Sequence, residues 1–308
     1  MGGLNATLAT AISALMADQG ALDVTTNNVA NANTPGYSRQ RAVLTENTPV
    51  VIGPLTFGTG VNLQQVQSVR DPILQLRIDQ ETQQQGSLNS SVTSLQQIEV
   101  MFNSASGSDI GAQLSNFFGS VQQLSTDPAS LSLRQGVLTA AGNLAKAFNN
   151  TANNLTQQQR SLDLNVTQSV QQINTLTSQI AKLNKQIASV QNTGGNASAF
   201  LDQRDQLVNQ LSSLIDISQI KSDDGPTLTT SNGTALVAGG QSFNLTTQPD
   251  ASGLQHIFAQ GKDITASIAS GQIAGLLQVR DQKIPALLSS LDSLASSFAN
   301  AVNAANAG

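Results

Sequence analysis

The sequence predicts a mainly α-helical protein, an elongated rod of long coiled-coil-like helices with a small antiparallel β domain inserted near one end. Three observations predict it. Apolar residues recur at 4-3 spacing through residues 4–32, 72–102 and, longest of all, 129–192. Aromatic residues make up 3% of the chain, with no tryptophan, so its cores are built from Leu, Ile, Val and Ala as in helical bundles. Between residues 216 and 270 the period switches to short strands separated by Gly, Pro, Asn and Asp. The expected organisation is an N-terminal helix with an extended arm (1–70), a long helical rod (71–215), the β domain (216–270) and a returning helix packed on the rod (271–308).

The first helix carries Leu4, Leu8, Ala11, Leu15, Asp18, Leu22, Thr25, Val29 and Ala32 at a strict 4-3 spacing. Such a stripe is the seam of a helix that packs along another helix. Asn27, Asn28, Asn31 and Asn33 follow within it, and asparagine is a poor helix former, so local stability does not explain them. Thr34-Pro35-Gly36 is a hard stop. Proline disfavours helical geometry at the residue before it, and Pro-Gly suits the centre of a type II turn. Residues 41–46, 50–52 and 61–66 then read as extended segments or one loose hairpin, punctuated by Pro49, Gly53 and Pro54.

Asp71-Pro72 opens the next helix, with Asp71 as its cap and Pro72 in its first turn. Leu88, Val92, Leu95, Ile98 or Glu99, and Phe102 continue its stripe, and Gly86 lies inside it as a weak point. A loop is expected at Ser104–Ser108, then a helix from Asp109-Ile110 to Leu124 that ends at Asp127-Pro128. The pattern over 129–192 runs from Leu138 to Val190 and would span on the order of 90 Å at the α-helical rise. Gly194-Gly195 breaks it, and residues 197–215 form a shorter helix. Strands are expected at 217–221, 227–231, 235–237, 242–246 and 256–259. From Gly271 the chain is helical again, through Leu287, Leu291, Leu294, Phe298 and Val302.

The run Asn28-Val-Ala-Asn-Ala-Asn-Thr-Pro-Gly-Tyr37-Ser-Arg-Gln40 resembles the N-terminal motif of the bacterial flagellar axial proteins, the rod, hook and hook-associated components. Its ending, Tyr37-Ser38-Arg39-Gln40, is most similar to that of the hook-associated members at the hook–filament junction. Leu277-Gln-Val-Arg-Asp281, followed by Pro285 and Val302-Asn303, is similar to their return into a helical domain. The resemblance implies a structural subunit that adapts hook to filament by helical self-assembly. It would stack with copies of itself, meet the hook protein and the next hook-associated protein, and leave the cell through the flagellar type III export apparatus. Within the family, the long helical pattern argues against a rod or hook component, whose outer parts are mostly β. The chief rival from another class is a coiled-coil adaptor or signalling module.

The resemblance also implies a C-terminal helix that pairs with the N-terminal one. No second heptad follows Val302, so the sequence is expected to be a fragment or short form, with residues 1–33 frayed in the monomer. The expected assembly residues are Leu8, Leu15, Leu22 and Val29 against a partner helix. Asn27, Asn28 and Asn31 would fix register, and Pro35, Gly36 and Tyr37 would set the exit angle, with Tyr37 as an aromatic anchor. Ordinary packing within the chain is the plainer alternative for each.

Composition agrees with a subunit of a dense assembly. Charged residues make up 11%, against about 25% in ordinary soluble domains. A polar, weakly charged surface can lie against copies of itself with little desolvation or like-charge repulsion. A net charge of −5 does not suggest nucleic acid. Residues 129–192 are locally basic, with Arg134, Lys146, Arg160, Lys182 and Lys185 against Asp163. No apolar run is long enough to span a membrane, and Met1–Thr7 lacks a Sec-type signal pattern.

No enzyme, cofactor or metal site is expected. Glu46, Glu81 and Glu99 are the only glutamates and lie far apart, which leaves no glycosidase-like pair. Asp223-Asp224-Gly225 lacks the alternating ligands of a calcium loop and reads as a turn. His256 is the only histidine and the chain has no cysteine, so no transition-metal cluster is expected. The glycine pairs are not followed by the Lys-Ser/Thr of a phosphate loop.

Overall fold

The computed structural model describes residues 2–102, 109–220, 222 and 225–307. The loop expected at Ser104–Ser108, and Asp223 and Asp224, lie outside these. Of the described residues 66% are helical, and several small antiparallel sheets accompany the helices. It divides into two compact units.

The first unit comprises Met1–Thr82, Ile173–Ser212 and Ile217–Asn244. It opens with α1 (Gly2–Ala30). The arm that follows is a hairpin, β1 (Gln40–Glu46) against β4 (Val61–Ser68), with a register shift at Val43/Leu44. A smaller hairpin, β2 (Val50–Ile52) with β3 (Leu55–Phe57), is nested within it. α1 packs on β1 and β4, and it does so with an unexpected face. The residues that face inward are Thr10, Ser13, Ala17, Gly20, Val24 and Asn28, with Ala17 1% exposed. A Cβ on Gly20 would come within 2.8 Å of Leu63 Cδ2, so the missing side chain permits the close approach. Against the expectation of a frayed segment, α1 is a continuous helix, and its support is this hairpin.

α2 (Pro72–Phe102), which belongs to this unit as far as Thr82 and to the second from Gln83, is capped as expected. Asp71 Oδ1 accepts from the backbone N–H of Ile73 at 2.9 Å and of Leu74 at 3.1 Å. Its stripe departs from expectation in the same way as that of α1. Leu88, Val92 and Leu95 are exposed, and Asp79, Gln83, Ser94 and Ile98 are buried. The rest of this unit comes from the C-terminal part of α4 (Leu131–Asn192), from α5 (Ser198–Leu214) and from a four-stranded antiparallel sheet. That sheet runs β5 (Ser218–Ile220), β6 (Thr227–Thr229), β7 (Ala235–Ala238), β8 (Gln241–Ser242) in sequence order. Asn184 on α4 donates to Gly239 O at 2.7 Å and fixes the β7–β8 turn. Ile173, Ile180, Leu211, Leu228, Leu236 and Val237 are fully buried. Full burial of such a side chain contributes about 1.5–3 kcal/mol.

The second unit comprises Gln83–Gln172, Ser213–Asp216 and Leu245–Gly308. It contains α3 (Ile110–Thr126), capped by Asp109, which accepts from Ala112 N at 3.3 Å. Its sheet is β9 (Leu245–Pro249), β10 (Gln255–Ala259) and β11 (Lys262–Asp263), with β10 central. The strand expected at 242–246 is therefore broken at Phe243-Asn244, and its two ends belong to different sheets. α6 (Gly271–Gln278) runs into a π-helical turn, Val279–Lys283, and then α7 (Ile284–Ala307). Pro285 has no N–H to donate to the carbonyl of residue 281, which removes one α-type bond where the helix widens. Phe117 on α3 meets Phe298 on α7 edge to face, with centroids 5.3 Å apart.

Arg280, in the π-helical turn, is fully buried. Its Nη1 donates to Asp163 Oδ1 at 2.6 Å and to Gln255 O at 2.8 Å. Asp163 Oδ1 also accepts from Gln255 N at 2.8 Å, so the ion pair ties α4 to β10.

Candidate functional site

α1 sorts its residues into two faces. Leu8, Leu15, Leu22 and Val29 are 60%, 70%, 66% and 72% exposed. They lie on one stripe, opposite the small residues that meet the hairpin. Leu4, Ile12 and Met16 are exposed beside them and widen the stripe beyond the expected residues. An apolar face this long is of the kind that marks an interaction surface.

At the end of α1 the expected residues come together. Tyr37 N donates to Thr34 O at 3.1 Å, closing a turn with Pro35 and Gly36 at its centre. Gly36 has φ +78, as the third position of a type II turn requires. Asn28 pairs with the first residue of β1 in both directions. Its Nδ2 donates to Gln40 O at 2.8 Å, and its Oδ1 accepts from Gln40 N at 2.8 Å. Asn28 thus imitates a strand partner for Gln40. The Tyr37 hydroxyl lies 2.9 Å from Asn28 Oδ1 and 3.0 Å from Asn27 Oδ1. It has one hydrogen, so it serves one carbonyl at a time. Asn31 Nδ2 donates to Asn27 Oδ1 at 3.1 Å, and its own Oδ1 accepts from Thr34 Oγ1 at 3.2 Å. Burial, and then the nearby Asp202 carboxylate, push the Tyr37 hydroxyl above its ordinary pKa, so it remains a neutral donor.

The asparagine cluster therefore makes its hydrogen bonds within the chain. Two further residues that support the turn come from α5. Asp202 Oδ2 accepts from Ser38 N at 3.2 Å, and Gln206 Nε2 donates to Pro35 O at 2.7 Å. Nothing local in the sequence marks them, because they lie more than a hundred residues beyond the turn they hold.

Among the described residues no group of three or more His, Cys, Asp or Glu could hold a metal ion. No helix among them is long and apolar enough to cross a membrane. His256 lies on β10, with Nδ1 2.7 Å from Asp263 Oδ2 and Nε2 3.5 Å from Asp250 Oδ2. Each carboxylate also caps backbone N–H groups of its own turn, so the cluster serves the local sheet.

The family described as "Flagella basal body rod protein" matches residues 8–37, which cover the exposed stripe and the asparagine–tyrosine turn. The curated flagellar hook-associated protein 1 of Bacillus subtilis is 35% identical over 240 residues, 75% of this chain and 47% of that protein. The protein of the same name from Escherichia coli is 30% identical over 305 residues, 95% of this chain and 55% of that protein. The chain thus spans about half the length of these curated relatives. Among solved structures, the flagellar hook junction protein FlgK from Burkholderia pseudomallei is similar with a TM-score of 0.66 and 30% identity. That likeness covers 74% of this chain and 43% of the other. The family described as "Flagellar hook-associated protein FlgK helical domain" matches residues 95–308, well over half of the chain, and the chain belongs to that FlgK family.

Proposed function

We propose that the chain serves as a structural subunit of the bacterial flagellum, acting as the adaptor between hook and filament through helical self-assembly. The observation that carries this reading is the exposed leucine stripe of α1, with Leu8, Leu15 and Leu22 each at least 60% exposed. A helix supported on one side and bare and apolar on the other is suited to lie in a wall of like helices. Stretch 1–70 is assigned the inner, axial position. The asparagine–tyrosine turn sets the angle at which the chain leaves it. Copies of the same chain, the hook protein and the next hook-associated protein are the partners. The export apparatus delivers the subunit, and its place is outside the cell at the hook–filament junction. No bond is made or broken in this role.

The test is a chimera in which this chain replaces the matching segment of the E. coli relative, expressed in a strain lacking that protein. Filaments attached to hooks, with motility restored, are expected. A chimera that is exported in normal amount yet leaves hooks without filaments would overturn the reading. Wall-degrading activity of the pure chain on peptidoglycan would also count against a purely structural role.

A further inference from the structure

α5 carries Asp202, Asp205, Gln206 and Asn209 at i, i+3, i+4 and i+7, which puts them on one stripe. Three of the four reach the two places where the chain enters and leaves the arm. On the outgoing side they hold Ser38 N and Pro35 O, as described above. On the returning side Arg70 sits between two carboxylates, with Nη2 on Asp202 Oδ1 and Nη1 on Asp205 Oδ2. Arg204 braces Asp205 from the same helix at 3.2 Å. Asp202 is buried, and it alone serves both crossings. Two further polar links near this joint, Asn196 Nδ2 to Gln40 Oε1 and Arg70 Nη2 to Ser198 O, are long at 3.5 Å each. A cleft of about 950 Å³, lined by Tyr37, Leu74, Ile78 and Asn209 among others, opens at the joint.

We propose that Asp202, Asp205 and Gln206 of α5 form a latch, closed by Arg70, that fixes the direction in which α1 and its hairpin leave the rest of the first unit. Two carboxylates one helical turn apart repel each other. The Arg70 guanidinium neutralises both, and its planar fork reaches two separate oxygens, which a lysine ammonium on a single point cannot do. Without Arg70, Asp202 is left buried and unpaired, and the closed joint is no longer favoured. α1 is packed on β1 and β4, so the helix and hairpin swing together when the latch opens. The hinge is the one crossing of the chain out of this body, at Val69–Asp71, while the Pro35-Gly36 turn moves with the helix and hairpin.

The latch rests on the geometry of the joint. Its use, aiming α1 within an axial assembly, rests on the function proposed above. The chain has no cysteine, so Thr26→Cys on α1 and Gln203→Cys on α5, both exposed positions, give a clean spin-labelled pair. Pulsed electron resonance on the otherwise unaltered chain should give one narrow distance distribution. Arg70→Met should broaden it and shift its mean. Arg70→Lys should fall between the two, and Asp202→Asn should broaden it more than Asp205→Asn. Distributions for Arg70→Met, Arg70→Lys and Asp205→Asn that superimpose on the parent would overturn the latch. If Arg70→Met loses its helical circular dichroism, Arg70→Lys and Asp205→Asn decide in its place. The readout concerns one chain in solution, so it separates from complementation. A rigid joint with failed complementation removes the function, and a loose joint with restored motility removes the latch.

Discussion

Asn28 and Tyr37 divide the work of the turn unequally, and the difference can be measured. Asn28 satisfies both backbone groups of Gln40, whereas the Tyr37 hydroxyl adds one bond shared between two carbonyls. Tyr37→Phe should weaken protection of the Gln40 amide by about 1 kcal/mol, the usual net value of one hydrogen bond. Asn28→Ala leaves a part-buried donor and acceptor unmade and should cost about 2–3 kcal/mol there. Hydrogen exchange at Gln40 reads both, and equal losses would mean that the hydroxyl holds the turn. Asp79 offers a second test at this scale. Burial raises its pKa most. Hydrogen bonds from Asn209, Gln75 and Gln219 pull it down, and the Asp205 charge adds to the rise. The native state therefore holds this proton more tightly than the unfolded chain does. Its contribution is fully present below the ordinary aspartate value and is lost as pH rises through the raised native one. Urea denaturation across that window should show parent stability falling with pH relative to Asp79→Asn. A constant difference would mean that Asp79 titrates alike in both states.

At the scale of the element, two glycines decide how helices meet. Read from the sequence, Gly86 is a flaw in α2. In the structure it lies against backbone, where an added Cβ would collide with Ser213 O and approach Gln272 N to 3.3 Å. Gly275 on α6 is matched to it, since a Cβ there would meet Ser87 O and come within 3.1 Å of Ser91 N. Alanine at either position gains up to about 1 kcal/mol in helix propensity but forces backbone apart, an overpacking penalty of about 1–3 kcal/mol. Both variants should lower the urea midpoint. Gly136→Ala on α4, with nothing within 4 Å of its Cβ, should raise it. A raised midpoint for Gly86→Ala would sink the close-contact argument. The same glycines mark how far the sequence could be read. The Asp71 cap, the Pro35-Gly36 turn and the α4 stripe are legible because caps, turns and periodicity are local signals. The packing faces of α1 and α2 are not. They are made of Ala17, Gly20, Gly86 and Ser94, which carry almost no hydrophobic pattern, while the leucines that do carry one point outward. Arg280 with Asp163, and Asp202 with Ser38, are joined only by the fold.

For the molecule as a whole, the outward leucines pose the question of what they are for. The chain is 39% hydrophobic and only 11% charged, yet leaves Leu4, Leu8, Leu15 and Leu22 in solvent along one helix. If the stripe is an assembly surface, the single chain gains almost nothing from it. Exposed positions of this kind change stability by about 0.5 kcal/mol or less when replaced. Leu8→Gln, Leu15→Gln and Leu22→Gln combined should therefore leave the urea midpoint of the chain nearly unchanged. The same variant should lose concentration-dependent association in sedimentation, and the chimera carrying it should no longer restore motility. The competing view is that the stripe folds back onto the chain in solution. It predicts a midpoint well below the parent's, because buried leucines lose about 2–5 kcal/mol each when truncated. The two outcomes differ by several kcal/mol, so one denaturation curve on the triple variant separates a surface kept for neighbours from a core.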